Sequence, residues 1–105
     1  MEFRVLGPLE AIDGTTPLAL GGRKQRALLA RLVLGVNRAI PMQRLIDDLW
    51  GEDVPASSTK MIQIYVSQLR KVLPADVLRT QPPGYLVAAD PETVDAVADR
   101  FDDLR

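Results

Sequence analysis

The chain has 105 residues, which allows one small domain with a single hydrophobic core. It contains neither cysteine nor histidine, which excludes zinc fingers, disulfide scaffolds, cysteine nucleophiles and histidine-based catalytic triads. The formal net charge is −1, yet residues 1–89 carry eleven lysines and arginines against eight carboxylates, and residues 90–105 carry two against six, so a mildly basic body precedes an acidic tail.

Short strands are expected at the N-terminus. Phe3 and Val5, then Leu9 and Ala11, alternate with polar or small residues, and a Gly-Pro and an Asp-Gly pair interrupt the pattern as turns. This alternation predicts a small antiparallel sheet that ends at residues 18–20.

Two helices follow, each indicated by apolar residues at helical spacing. The first covers residues 23–36 and ends at Asn37, and its apolar stripe consists of Leu28, Leu29, Leu32, Val33 and Val36. The second begins at Pro41 and ends at Gly51, and its stripe consists of Leu45, Ile46, Leu49 and Trp50. Trp50 is expected to anchor the core, with an indole N–H that can also reach a phosphate.

The third helix has two different faces. Ser57 is its expected N-cap and Pro74 stops it, and the core-facing side consists of Ile62, Tyr65, Val66, Leu69, Val72 and Leu73. The opposite side presents Lys60, Gln63, Ile64, Ser67 and Lys71, and no carboxylate occurs between residues 56 and 75. Amide, hydroxyl and ammonium groups suit base edges and phosphates, and Ile64 is either ordinary exposure or a contact for a thymine methyl group.

A hairpin and an acidic helix close the chain. Residues 78–80 and 85–87 are predicted to pair around Gln81-Pro82-Pro83-Gly84, and Tyr85 is expected to pack this hairpin on the core. The string Pro91-Glu92-Thr93 predicts the start of a last helix, whose apolar side consists of Val94, Val97, Phe101 and Leu104.

Membrane and enzyme functions are poorly supported by the sequence. No apolar run reaches the roughly 18 to 20 residues of a membrane span, and the N-terminus lacks the features of a signal peptide. The glycines at positions 21–22 lack the spacing of a phosphate-binding loop, and the adjacent aspartates at 47–48 and 102–103 diverge by about 100° on a helix. We therefore predict a soluble cytoplasmic protein without catalytic residues, metal or cofactor.

Four strings in order carry a family resemblance. They are residues 21–29 (GGRKQRALL), 44–51 (RLIDDLWG), 65–73 (YVSQLRKVL) and 82–86 (PPGYL). Together they resemble the N-terminal DNA-binding domain of the Streptomyces antibiotic regulatory protein family, which is similar in fold to the OmpR/PhoB output domain. The resemblance covers residues 1–89 and implies an α+β winged helix-turn-helix: a small antiparallel sheet, three helices and a hairpin wing. Residues 90–105 resemble the first helix of the all-helical transcriptional activator domain that follows in this family.

The resemblance implies roles for individual residues. The third helix becomes the recognition helix, with Gln63, Ile64, Ser67 and Gln68 facing the bases in the major groove. Phosphate contacts are expected from Arg23, Lys24, Arg26, Trp50, Lys60, Arg70 and Lys71. Thr80 and Gln81 are the wing residues expected at the backbone or minor groove, although relatives often have an arginine near Gln81. For Arg23, Lys24 and Arg26 the alternative is plain solvated charge.

The expected partners are promoter DNA, RNA polymerase and further copies of the same chain. The resemblance implies that two or more copies bind tandem direct repeats in double-stranded DNA, placing the protein at the nucleoid. Glu52 and Asp53, in the loop between the second and third helices, would face RNA polymerase and its sigma factor, or are simply an exposed acidic turn. The alternative function is a winged-helix protein-interaction module that does not bind DNA and docks a partner through residues 93–105.

Overall fold

The computed structural model describes residues 1–5 and 9–94, and its chain begins with an antiparallel three-stranded sheet. The strands are β1 (Glu2–Arg4), β2 (Glu10–Asp13) and β3 (Thr16–Pro17), in the order β1-β2-β3. Phe3 lies opposite Ala11, and both side chains are buried, so this alternation sets the inner face as predicted. The strands end at Pro17 rather than at residues 18–20, and the N–H of Leu18 makes one more bond to β2, to the carbonyl of Ala11 at 2.9 Å.

Three helices form the centre of the domain: α1 (Arg23–Leu34), α2 (Met42–Trp50) and α3 (Ser58–Val72). Helix α1 packs against both α2 and α3, which also contact each other. The buried apolar residues of the helices are Leu28, Leu29, Leu32, Val33, Leu45, Ile46, Leu49, Ile62, Val66 and Leu69. All of these belong to the predicted stripes, so the 3.6-residue periodicity located the core. The other predicted members Val36, Trp50, Tyr65 and Val72 are half-buried and pack against it.

The helix ends differ in detail from the predictions. Helix α1 stops at Leu34 and is capped by Gly35, two residues earlier than expected. Asn37 follows with a φ of 64°, a left-handed conformation that asparagine tolerates. Ser57 does occupy the N-cap of α3, but its side chain makes no capping hydrogen bond. Gly51 ends α2 with a φ of 61°, in agreement with its predicted role as a stop.

The wing is a second three-stranded sheet in which the predicted hairpin gains an extra strand. Strands β5 (Leu78–Gln81) and β6 (Gly84–Val87) pair around Pro82 and Pro83, and β4 (Ile40–Pro41) pairs with the other edge of β6. A Cβ atom added to Gly84 would lie 1.8 Å from the carbonyl oxygen of Ile40. Only glycine therefore permits the close approach of β4 and β6 that ties the wing to the helices.

Asn37 ties the end of α1 to the strand that leaves the wing. Its backbone N–H donates to the carbonyl of Val87 at 2.8 Å. Its side-chain amide donates to the carbonyl of Ala89 at 2.8 Å and accepts from the N–H of Ala89 at 3.1 Å. The predicted helix stop thus also continues the hydrogen-bond ladder beyond β6.

The segment after the wing returns to the N-terminal sheet. Pro91–Thr93 form a single 3-10 turn, whose first backbone donor is capped by Asp90. Val94 then adopts an extended conformation, is fully buried and pairs in parallel with Phe3. The predicted helix therefore does not run on from Pro91 through Val94, because burial of Val94 against β1 requires extended backbone. The remainder of that helix, residues 95–105, lies outside the described residues.

Candidate nucleic-acid interface

The outer face of α3 is a continuous exposed surface without negative charge. Lys60, Ile64, Ser67 and Lys71 recur at intervals of three or four residues, and Gln63 lies beside Ile64, so the five residues share one side of the helix. All five are exposed, and Ile64 retains 48% of its accessible surface. Gln68 is exposed beside them. The structure therefore gathers every predicted base-facing residue, together with two of the predicted phosphate contacts, on one surface.

The opposite side of α3 fixes this surface in place. Ile62, Val66 and Leu69 are at most 1% exposed and pack into the common core with α1 and α2. Helix α2 is itself pinned to α1 by an ion pair in which the Nε of Arg31 lies 2.6 Å from a carboxylate oxygen of Asp48. The outer face of α3 thus projects from a braced helix, which is the arrangement that inserts a recognition helix into a major groove.

The basic residues at the start of α1 are arranged differently. The Nζ of Lys24 donates to the carbonyl of Leu49 and lies 5.5 Å from the centroid of the Trp50 ring. The guanidinium of Arg26 donates to the carbonyl of Leu9. Both side chains are half-buried, whereas Arg23 is exposed. Two of the three predicted phosphate contacts here therefore bind carbonyls of the chain itself.

These internal bonds explain why cations occupy a helix N-terminus, where the macrodipole disfavours them. The carbonyl of Leu49 is in the last turn of α2, where carbonyls have no partner within the helix and carry partial negative charge. Lys24 supplies that partner, and stacking on half-buried Trp50 holds the ammonium in place. A phosphate clamp at this end of α1 stays a prediction, as does the phosphate contact of Trp50.

The wing lies beside the C-terminal end of α3. Thr80 and Gln81 on β5 are exposed, as predicted for residues that reach DNA. Arg70 joins the two elements, because it donates from Nε to the carbonyl of Leu78 at 3.1 Å and from a terminal nitrogen to Oγ1 of Thr80 at 2.7 Å. The predicted phosphate contact Arg70 and the predicted wing contact Thr80 are therefore hydrogen-bonded to each other.

The loop between α2 and α3 is an acidic turn with an exposed apolar tip. Glu52 and Asp53 are exposed, and Val54 beside them keeps 42% of its accessible surface. The turn is held by backbone bonds from Gly51 to Asp47 at 2.8 Å and from Asp53 to Trp50 at 3.2 Å. This geometry makes the two carboxylates available to a partner without identifying one.

Sequence reasoning missed three structural contributions near this interface. Strand β4 is only two residues long, so it leaves no alternation to detect. The pairing of Arg70 with Thr80 joins residues ten positions apart on different elements, which no local pattern reveals. A signal did exist for Gly84, since the Pro-Pro-Gly-Tyr string was prominent in the sequence, but its contact with Ile40 depends on the fold.

Comparison with known proteins gives the family. Residues 16–87 match the family described as transcriptional regulatory protein, C terminal. The chain belongs to this family. It is a transcriptional regulator's DNA-binding domain of the OmpR/PhoB type, in the Streptomyces antibiotic regulatory protein group. Within residues 1–5 and 9–94, the helices are too short or too polar to cross a bilayer.

Individual relatives agree with this family. Regulatory protein AfsR of Streptomyces griseus is 39% identical over 95 residues, which cover 90% of this chain and 10% of AfsR. Transcriptional regulatory protein EmbR of Mycobacterium tuberculosis is 43% identical over 102 residues, which cover 90% of this chain and 26% of EmbR. Regulatory protein DnrI of Streptomyces peucetius is 36% identical over 109 residues, which cover 93% of this chain and 40% of DnrI.

A solved structure has the same fold. Mycobacterium tuberculosis EmbR, in a complex with a low-affinity phosphopeptide, superimposes with a TM-score of 0.85 at 39% sequence identity. The match covers 91% of this chain and 27% of that one. The chain thus spans between one tenth and two fifths of the length of the three curated relatives described above.

Proposed function

We propose that this winged-helix domain reads a specific double-stranded DNA sequence by placing α3 in the major groove. The observation that supports this most directly is the outer face of α3, which is exposed, free of carboxylates and lined by amide, hydroxyl and ammonium groups. Gln63, Ile64, Ser67 and Gln68 would face the bases, and glutamine can bind adenine through two hydrogen bonds. Lys60 and Lys71 would bind phosphates on either side.

The wing and the start of α1 would extend the contact beyond the major groove. Thr80 and Gln81 are exposed next to α3 and would meet the backbone or the minor groove. Arg23 is the exposed cation at the start of α1 and the better placed phosphate contact there, since Lys24 and Arg26 already bind carbonyls. A single copy offers few cations, so we expect weak binding that falls steeply as salt rises.

Two or more copies would bind tandem direct repeats side by side and so compensate for the weak binding of one copy. Glu52 and Asp53 would contact RNA polymerase or its sigma factor from the exposed loop between α2 and α3. The protein would then act as a transcriptional activator at the nucleoid in the cytoplasm. The greater length of the relatives supports a longer regulator, in which residues 90–105 lead into an all-helical activator domain.

Selection of bound duplexes from a random DNA pool, repeated across a salt series, tests this function. We expect one enriched motif, present as a direct repeat at a spacing of about one helical turn, and a steep loss of affinity with salt. Absence of enrichment with both this chain and a longer one that includes the following domain would contradict DNA reading.

A truncation distinguishes DNA binding from the alternative function, a protein-interaction module that does not bind DNA. Residues 95–105 should be removed rather than 90–105, because Val94 belongs to the buried core. DNA binding should survive this truncation. A partner interaction that is lost with these residues, in a chain that selects no DNA, would support the alternative.

A further inference from the structure

Arg70, on α3, contacts two of the three wing strands, β5 and β6. Its Nε donates to the backbone carbonyl of Leu78, and one terminal nitrogen donates to the hydroxyl of Thr80, two residues further along β5. Its guanidinium carbon also lies 6.0 Å from the centroid of the Tyr85 ring, and Tyr85 pairs with Thr80 across the hairpin. One side chain of α3 therefore contacts three wing residues.

The contacts of Arg70 lie beside a groove at the junction of α3 and the wing. A groove of about 510 Å³ opens at the surface between the end of α3 and β5, and it is lined by Arg70, Leu73, Pro74, Asp76, Arg79 and Thr80. Leu69, Leu73 and Leu78 are buried in the common core at this junction, and Arg70 adds the hydrogen bonds at its exposed edge. The guanidinium of Arg70 presents a planar pair of donors to β5. The single ammonium of lysine does not reproduce this geometry.

We propose that Arg70 is a positioning residue, which fixes the orientation of the wing relative to α3 so that both elements meet DNA in one register. This inference rests on the proposed function for its consequence, since the register matters only if both elements bind DNA. Arg70 still has N–H groups free of the two hydrogen bonds above. A phosphate contact can add to the positioning role, but it does not account for the bonds to Leu78 and Thr80.

The first test needs no DNA. Because the chain contains no cysteine, spin labels can be attached at the single pair T59C and Q81C, which places one label at the start of α3 and one at the wing tip. Double electron–electron resonance spectroscopy then gives the distribution of distances between the two labels. Arg70→Lys should broaden or shift this distribution while the helical circular dichroism stays unchanged. Thr80→Val, which removes only the acceptor hydroxyl, should do so to a smaller extent.

Lys71→Gln is the matched control, because it removes the neighbouring exposed cation and should leave the distribution unchanged. An unchanged distribution in both Arg70→Lys and Thr80→Val would overturn the positioning role. If Arg70→Lys does not fold, Thr80→Val alone tests the positioning role, because valine has nearly the same shape and volume as threonine.

The second test compares two substitutions of Arg70 on the selected duplex. A positioning role predicts that Arg70→Lys loses about tenfold in affinity, nearly as much as Arg70→Gln, because both lose the planar pair of donors. A phosphate contact alone predicts that Arg70→Lys keeps most of the affinity, because the charge is retained, and that result would contradict the inference. If the unsubstituted chain selects no DNA, the proposed function fails, and the spin-label distances still decide whether Arg70 sets the wing.

Discussion

Lys24 and Arg26 at the start of α1 and Lys60 and Lys71 on α3 look alike in the sequence but differ in what they bind. Lys24 and Arg26 donate to backbone carbonyls of other segments and hold the framework together. Lys60 and Lys71 are exposed and make no hydrogen bond with another side chain in residues 1–5 and 9–94. The difference teaches that clustered positive charge is evidence of a DNA surface only where the cations lack partners within the fold.

The largest expected effect concerns the framework at the base of the wing. Gly84→Ala should lower the free energy of unfolding by about 3 kcal/mol or more, because its Cβ would collide with the carbonyl of Ile40. Urea denaturation measures this loss. Gly22→Ala is the matched control, since an added Cβ meets no atom within 4 Å, and it should cost less than about 1 kcal/mol. Equal stability of the two variants would show that β4 and β6 do not approach as described.

The next effect should be confined to sequence preference. Gln63→Ala should leave stability unchanged but reduce discrimination at one base pair by about 1 to 3 kcal/mol, measured by repeating the duplex selection. Gln43→Ala, an exposed glutamine on α2, is the control and should keep the original motif. The same motif from both variants would mean that Gln63 does not face the bases.

The third prediction compares a cation that is bound within the fold with an exposed cation next to it. Lys24→Met should lower the free energy of unfolding by about 1 kcal/mol, because the last turn of α2 loses its partner, and should change DNA affinity little. Arg23→Met beside it should leave stability nearly unchanged. Thermal denaturation and DNA titration of both variants separate the effects. If Lys24→Met weakened DNA binding without loss of stability, the lysine would be a phosphate contact after all.

The smallest effect is expected at a single phosphate contact. Lys60→Ala should weaken binding to all sequences alike and reduce the slope of log affinity against log salt by about 1. Lower affinity for one motif alone would instead identify Lys60 as a base-reading residue.

Local patterns were sufficient for most of the fold. The apolar spacing of the three helices and the Pro-Pro-Gly-Tyr string of the wing report residues that are close in sequence, and both predictions were confirmed. The prediction of the last helix was wrong at Val94. This residue pairs with Phe3, ninety-one positions earlier, and the pairing overrides the local helical pattern. The exposed face of α3 was found because exposure follows from the same periodicity. Lys24, Arg26 and Arg70 could not be interpreted from sequence, since their partners lie on other elements.

Amide resonances followed by nuclear magnetic resonance during titration with the selected duplex test the central claim most directly. The outer face of α3 and the wing tip should show the largest shifts, while the amides of the N-terminal sheet change little. Shifts concentrated on the N-terminal sheet or on the acidic loop, with the outer face of α3 unchanged, would contradict the assignment of α3 as the element that reads DNA.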